Sequence, residues 1–299
     1  MTILRMTDRH LLIRTISNER GDILFIRLLF TRNQVRIEDM AIRPKQAPQG
    51  ASLEIQPLKQ GRVRLRMLGT TPLYFNSMSS KAMRDLLAGG GKKTTAQKKE
   101  IKHNPEKEFR ESVYTKSFGD TLLCFPAPGV KGAMSTAALE TDGITKSSVQ
   151  RLIFLPQTHV QIWGKPQLKI DIVRSADMNR TPDMRTRAYL PRWCAEVDIA
   201  YVQPALSAYS IVSLLTNAGV VVGIGDFRQE KGRGSFGTFS VLTEDSMGSF
   251  QAEWDELMVE DRESQQAALD SPVFADSQTE DLMQFMIEER ARRDITLVA

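Results

Sequence analysis

GIGDFRQEKGRGSFG, residues 223–237, decides the reading of this chain. Five glycines (Gly223, Gly225, Gly232, Gly234 and Gly237) are interleaved with the cations Arg228, Lys231 and Arg233 and the rings of Phe227 and Phe236. Glycine lets backbone N–H groups come close to phosphate oxygens. Arginine and lysine neutralise the phosphate charge, and aromatic rings stack on bases. The segment is not a P-loop, because GxxxxGK[ST] is missing and a strand follows it rather than a helix. It is not a dinucleotide fingerprint either, since the acidic residue in its strand context is missing. The plain alternative is a glycine-rich hairpin turn with phenylalanines in the core.

The flanks set the segment in a fold. Before it, Leu206 to Ala218 places Leu206, Ile211, Leu214 and Leu215 near one helical face, and Asn217-Ala218-Gly219 closes the helix. After it, TFSVL (238–242) reads as a strand. RVRLRML (62–68) alternates without a break: Val63, Leu65 and Met67 face a core, while Arg62, Arg64 and Arg66 form a row of guanidinium groups. Strands are expected at 151–155, 158–163, 167–173 and 193–202, with Pro204 ending the last. Ser79 or Ser80 caps a helix at 80–88, and Asn104-Pro105 starts another that runs to about Tyr114. The small-residue stretch 125–139 gives a helix with Lys131 near its start, where its charge opposes the dipole. Residues 177–187, with Arg180, Arg185 and Arg187 around Pro182, read as a loop, and Arg185 and Arg187 join Lys131 and the arginine row as candidate phosphate contacts. The resulting order, β-α-β-β-α-β, predicts an α+β, ferredoxin-like (RRM-like) antiparallel sheet with helices and long loops.

Charge divides the chain. From Glu244 onward there are fifteen acidic and four basic residues, a net charge of −11. Residues 1–243 hold 36 basic and 21 acidic residues, a net charge of +15. A basic body with an acidic tail points to a polyanion surface. GGGKKTTAQKKEIK (89–102) adds Lys92, Lys93, Lys98, Lys99 and Lys102 and is too polar to build a core. Three parts are expected: a strand-rich extension over 1–60, with strands at 9–16 and 22–30; a nucleic-acid-binding core over 61–243; and an acidic, partly helical or disordered tail over 244–299. Cys124 and Cys194 cannot make a disulfide framework or a four-ligand zinc site, and His10, His103 and His159 form no metal motif. No metal or other cofactor is expected. No apolar run is long enough to span a bilayer, and the N-terminus shows no export signal. The expected place is the cytoplasm.

The glycine-rich loop between the second helix and the fourth strand resembles the RAMP superfamily, whose members bind CRISPR RNA as subunits of effector complexes. The resemblance covers about residues 61–243 and is specific at GIGDFRQEKGRGSFG. It implies RNA contacts along Gly223 to Gly237 and an insertion loop at 89–102. TTPLYFNSMSS (70–80) and FPAPGVKGAM (125–134) resemble a group of phage-encoded proteins, which would place the chain in a host cytoplasm. The acidic tail departs from RAMP subunits and resembles the C-termini of single-strand-binding proteins.

Together these readings favour a binder of single-stranded DNA or RNA without sequence reading. The tail would compete for the basic groove or take a protein partner, with Trp254 as an anchor, and copies could line up along the strand. The alternative is a CRISPR-type RNA-binding subunit, or an RNA endonuclease using His103 as general acid or base.

Overall fold

The alternation in RVRLRML is the centre of the observed fold. A computed structural model describes residues 57–89, 103–174, 180–231 and 234–293, and the backbone of strands at 4–6, 9–17, 23–31 and 34–38; at 231 and 244–247 it describes the backbone alone. The chain divides into two units, Met1–Pro57 and Leu58–Ala299. The first is a four-stranded antiparallel sheet in sequence order: β1 (Leu4–Met6), β2 (Arg9–Ser17), β3 (Ile23–Thr31) and β4 (Gln34–Glu38).

In the second unit β5 (Lys59–Gly69) buries Leu65 and Met67 on one face and exposes Arg62, Arg64 and Arg66 on the other. It pairs on one side with β13 (Cys194–Gln203) and on the other with β14 (Phe239–Leu242). The far edge of β13 takes β10 (His159–Trp163), and β8 (Leu123–Pro126) and β7 (Tyr114–Thr115) continue the sheet. All of these pairs are antiparallel. Helices α3 (Ala127–Ala137) and α5 (Ala208–Val221) pack against each other and bury the odd-numbered side of β5. Ser207 caps α5 by accepting from Ser210 N. Gly219 lets that helix close on the sheet, because a Cβ there would lie 2.1 Å from Phe239 O. The order β14-β5-β13-β10 is the fourth, first, third and second strands of the β-α-β-β-α-β unit, a ferredoxin-like α+β core.

Two local expectations are corrected. Residues 177–187 have the composition of a loop, yet β12 (Pro182–Leu190) pairs along its length with β11 (Gln167–Arg174) and at its end with β6 (Leu73–Tyr74). Arg187 finds Asp171 across the hairpin and Asp183 finds the ring of His103, so polar residues stand where the apolar alternation that marks a strand would be read. Residues 151–155 have the pattern of a strand, but α4 (Lys146–Leu152), capped by Thr145, covers the first part and leaves only β9 (Ile153–Phe154). The caps of the two earlier helices are as expected: Ser79 for α1 (Ser80–Leu87), and Asn104 with Pro105 for α2 (Pro105–Ser112).

The described part of the acidic segment forms α6 (Glu244–Met258), α7 (Arg262–Asp270) and α8 (Ser277–Arg292). Buried Gln265 joins α7 to the sheet. Its Oε1 accepts from Leu122 N and Leu123 N at 2.9 and 2.8 Å, and its Nε2 donates to Ile162 O and Gly164 O at 2.9 and 3.1 Å. The Arg262 guanidinium donates to the carbonyls of Lys116, Gly119 and Thr121. α8 docks on β11, where Asp276, its N-cap, accepts from Thr279 N at 2.8 Å and from Lys169 Nζ at 2.7 Å. The Lys169 ammonium, then Thr279, hold the Asp276 carboxyl at about 2, below its ordinary value. A lowered carboxyl stabilises the fold above its ordinary range, and that stability is lost as pH falls through about 2. Asp276→Ala should cost about 1 kcal/mol in urea unfolding at pH 7. The difference from wild type should shrink as pH falls from 4 to 2.

Candidate nucleic-acid interface

The glycine-rich loop is held at its base by its own backbone. Gly223 N donates to Ala218 O at the end of α5, Ile224 N to Gly237 O at 2.9 Å, and Gly237 N to Pro72 O at 2.8 Å. Asp226 N donates to Tyr74 O at 3.0 Å, and Phe236 N to Phe227 O at 3.3 Å. Gly223, Gly225 and Gly237 have φ of 74°, 87° and 72°, a region that favours glycine. At Gly234 a Cβ would lie 1.5 Å from Phe227 O. Gly223, Gly234 and Gly237 are required where the two arms of the loop cross, and Gly225 where the loop passes Leu73 and Tyr74. The rings are also used internally: Tyr74 packs edge-on against Phe236 at 4.9 Å and Phe227 at 5.6 Å.

Arg187 is the post on which the loop base rests. Its side chain is 2% exposed, with Nη1 donating to Asp226 Oδ2 at 2.7 Å and Nη2 to Asp171 Oδ2 at 3.1 Å. The guanidinium lies 4.2 Å from the Phe227 ring centroid and 5.1 Å from that of Tyr74. Asn76 Nδ2 adds a bond to Asp226 Oδ2 at 3.0 Å. This corrects the reading of Arg187 as a phosphate contact, since its charge is spent inside the protein. Asp226 serves Arg187 and Asn76 rather than Arg228, which pairs with Glu230 at 3.1 Å. The loop's tip therefore starts at Arg228 and passes through the single 3-10 turn Gln229–Lys231. The side chain of Lys231, and Gly232 and Arg233, lie outside the described residues, as do Lys92, Lys93, Lys98, Lys99 and Lys102.

On the open face of the sheet the arginine row meets acids in register. Arg64 faces Asp198 and bonds it at 2.8 and 3.2 Å; Arg66 faces Glu196 and bonds it at 3.1 Å. Arg62 faces Ala200 and makes no ion pair among the described residues. It lines a groove of about 520 Å³ with Arg64, Gln157 and Asp198. Gln157 Nε2 is buried and has no hydrogen-bond partner among the described residues. Two of the three arginines are thus neutralised locally, leaving Arg62 as the exposed donor of the row. The signal was in the sequence: Glu196 and Asp198 have the same i, i+2 spacing as Arg64 and Arg66.

The remaining candidates are dispersed. Lys131 Nζ donates to Gln150 O at 2.9 Å and lies 5.5 Å from the Phe154 ring centroid, tying α3 to α4 and β9. Arg185 is exposed and lines a second groove, of about 410 Å³, between α1, α2 and β12. His103 lies between two carboxylates, Nδ1 at 3.1 Å from Glu108 Oε1 and Nε2 at 3.2 Å from Asp183 Oδ1. With both ring nitrogens engaged, it joins α2 to β12 and offers none to a substrate. Among the described residues there is no cluster of three or more His, Cys, Asp or Glu suited to a metal, and no helix long and apolar enough to cross a membrane.

The other half of the open face is covered. Leu68, Trp163, Cys194 and Leu242 form a small apolar cluster with Trp254 and Leu257 of α6. Trp254 is 3% exposed, so the residue expected to anchor a partner is instead packed within the chain. The Arg66 guanidinium lies 5.3 Å from the Trp254 ring centroid. Arg192 bonds both oxygens of Glu256 at 2.8 Å and approaches Glu253 at 3.4 Å.

The sheet order and the pinned loop define a ferredoxin-like α+β protein with a glycine-rich loop before its last core strand. No protein-family model and no curated protein matches the chain. Among solved structures it is similar to Cmr6 from Pyrococcus furiosus, with 9% identity and a TM-score of 0.33, over 62% of this chain and 98% of that one. A likeness of that degree bears no functional weight.

Proposed function

We propose that this chain is an RNA-binding protein of the RAMP type, which holds the backbone of a single strand at the tip of the 223–237 loop and acts as a subunit of a ribonucleoprotein assembly. The observation that carries the reading is the loop's construction. Its base is fixed by five backbone hydrogen bonds and the buried Arg187 pair, while its tip sequence Arg228–Gly234 concentrates three cations. A loop base fixed before binding leaves less conformational freedom to lose when the loop meets a phosphate chain. Exposed Arg62 offers a second contact on the open sheet face. The division of charge favours a second reading, a stand-alone binder of single-stranded DNA or RNA.

Fluorescence anisotropy with labelled 20-nucleotide RNA and DNA, at several salt concentrations, tests both. RNA should bind more tightly than DNA, with a steep negative dependence of log affinity on log salt. In Arg228→Ala/Lys231→Ala/Arg233→Ala the slope should fall by about 2, at about 0.7 per lost phosphate contact. Equal affinity for the two strands selects the stand-alone binder. A folded triple variant with unchanged slope removes the loop from the interface.

A further inference from the structure

We propose that the sheet face beneath α6 is a stacking site for a single nucleic-acid strand, and that α6 occupies it as a mimic of that strand. The inference rests on the nucleic-acid reading above and adds a second site to it, away from the loop.

The floor of the site is the cluster Leu68, Trp163, Cys194 and Leu242, all on the side of the sheet that α3 and α5 leave open. Arg66 and Arg192 stand beside it. One large ring on an apolar floor, with guanidinium groups at its edge, is the chemistry that takes a base by its face and a phosphate by its charge. α6 supplies the complement of each part. The Trp254 indole lies over Arg66, where a base would lie. The Glu256 carboxylate takes Arg192 in a bidentate pair, as a phosphate would, with Glu253 alongside. Within Glu244–Met258 there are five acidic residues and no basic one, so the helix also copies the charge of a strand.

The way α6 is held distinguishes it from its neighbours. Of its side chains that are described, only Trp254 and Leu257 are buried. α7 is tied by the Gln265 amide and the Arg262 fork, and the chain before α8 pairs with Leu168 through Val273 O and Ala275 N. A helix whose described side chains hold it by two apolar residues, the Arg66 contact and the exposed pairs to Arg192 belongs to the less stable part of such a unit. Cys194 reports on its position: burial first, then Glu196 and Glu253, push the thiol up to about 12. Cys124, buried on β8 away from α6, is the internal control.

The test uses the full chain and a labelled 20-nucleotide oligouridine at low and high salt. Trp254→Ala should bind about tenfold more tightly, the scale of one lost stacking competitor. Its Cys194 should react faster with a thiol reagent than wild type, with Cys124 unchanged. Glu253→Gln/Glu256→Gln should also bind more tightly at low salt, and this gain should vanish at high salt where the charges are screened. Adding Trp163→Ala to Trp254→Ala should reverse the first gain.

A folded Trp254→Ala with reactive Cys194 and unchanged affinity overturns the proposal. If Trp254→Ala fails to fold, the glutamine pair decides, because both carboxylates are surface groups; unchanged low-salt affinity there overturns it equally. Wild type that binds while these variants gain nothing retires the α6 site alone. Wild type and variants that all fail to bind retire the nucleic-acid reading with it.

Discussion

Replacing Arg187 by methionine should lower the stability of the second unit by about 3–5 kcal/mol, the cost of breaking a buried ion pair by removing one partner. The guanidinium is 2% exposed and neutralises two carboxylates, Asp171 on β11 and Asp226 in the glycine-rich loop. Methionine fills much of the volume between Phe227 and Tyr74, so the loss comes from the two anions left without a cation, not from a cavity. Lysine should not rescue the fold. Its compact ammonium cannot bridge both carboxylates and lie flat against two rings, which the planar guanidinium does. Converting Asp171 and Asp226 to asparagine together with Arg187→Met should recover part of the stability, because the uncompensated charges are gone. Urea unfolding of the three variants beside wild type measures each step. A methionine variant within 1 kcal/mol of wild type would show that the hub is not what holds the loop base.

Arg187 also shows what could be read in the sequence and what could not. The strict alternation of β5, the apolar run of β13, and the caps at Ser79 and Asn104 are local signals, and local signals are enough to place the strands and helices of a β-α-β-β-α-β core. Which polar residues meet across the sheet is a matter of register. Arg64 and Arg66 look like a cationic row until β13 puts Asp198 and Glu196 opposite them. β12 is hidden for the same reason: Asp183, Arg185 and Arg187 suggest solvent, and only the folded chain gives Arg187 the carboxylates of Asp171 on β11 and Asp226 in the loop, and Asp183 the ring of His103 ahead of α2. Net charge alone makes the acidic segment look like a solvated tail. Its fold depends on a few residues placed among the acids, such as Trp254, Gln265 and Met283, whose burial is settled by the sheet they meet. Composition reports the average of a segment, whereas docking depends on its exceptions.

The glycines of the loop permit a sharper separation of structure from binding. Gly237→Ala should destabilise the second unit by about 1–3 kcal/mol, the scale of local backbone strain, and should weaken nucleic-acid binding although the substitution removes no charge. Two causes act at this position. The φ of 72° is unfavourable for alanine, and the new Cβ would stand 1.7 Å from Ile224 O, within the carbonyl of the residue whose N–H bonds to Gly237 O. The crossing at the loop base must open, and with it the base on which the cationic segment is mounted. Gly132→Ala is the contrasting case. Gly132 lies inside α3 with nothing within 4 Å of the place a Cβ would take, so alanine should raise stability by about 0.5–1 kcal/mol through helix propensity alone. Thermal unfolding and RNA anisotropy on both variants separate the possibilities. If Gly237→Ala unfolds earlier and binds less while Gly132→Ala does neither, the glycine content serves the crossing at the loop base. If Gly237→Ala loses binding at full stability, the glycine is needed at the ligand itself, because a phosphate approaches its backbone too closely for a side chain.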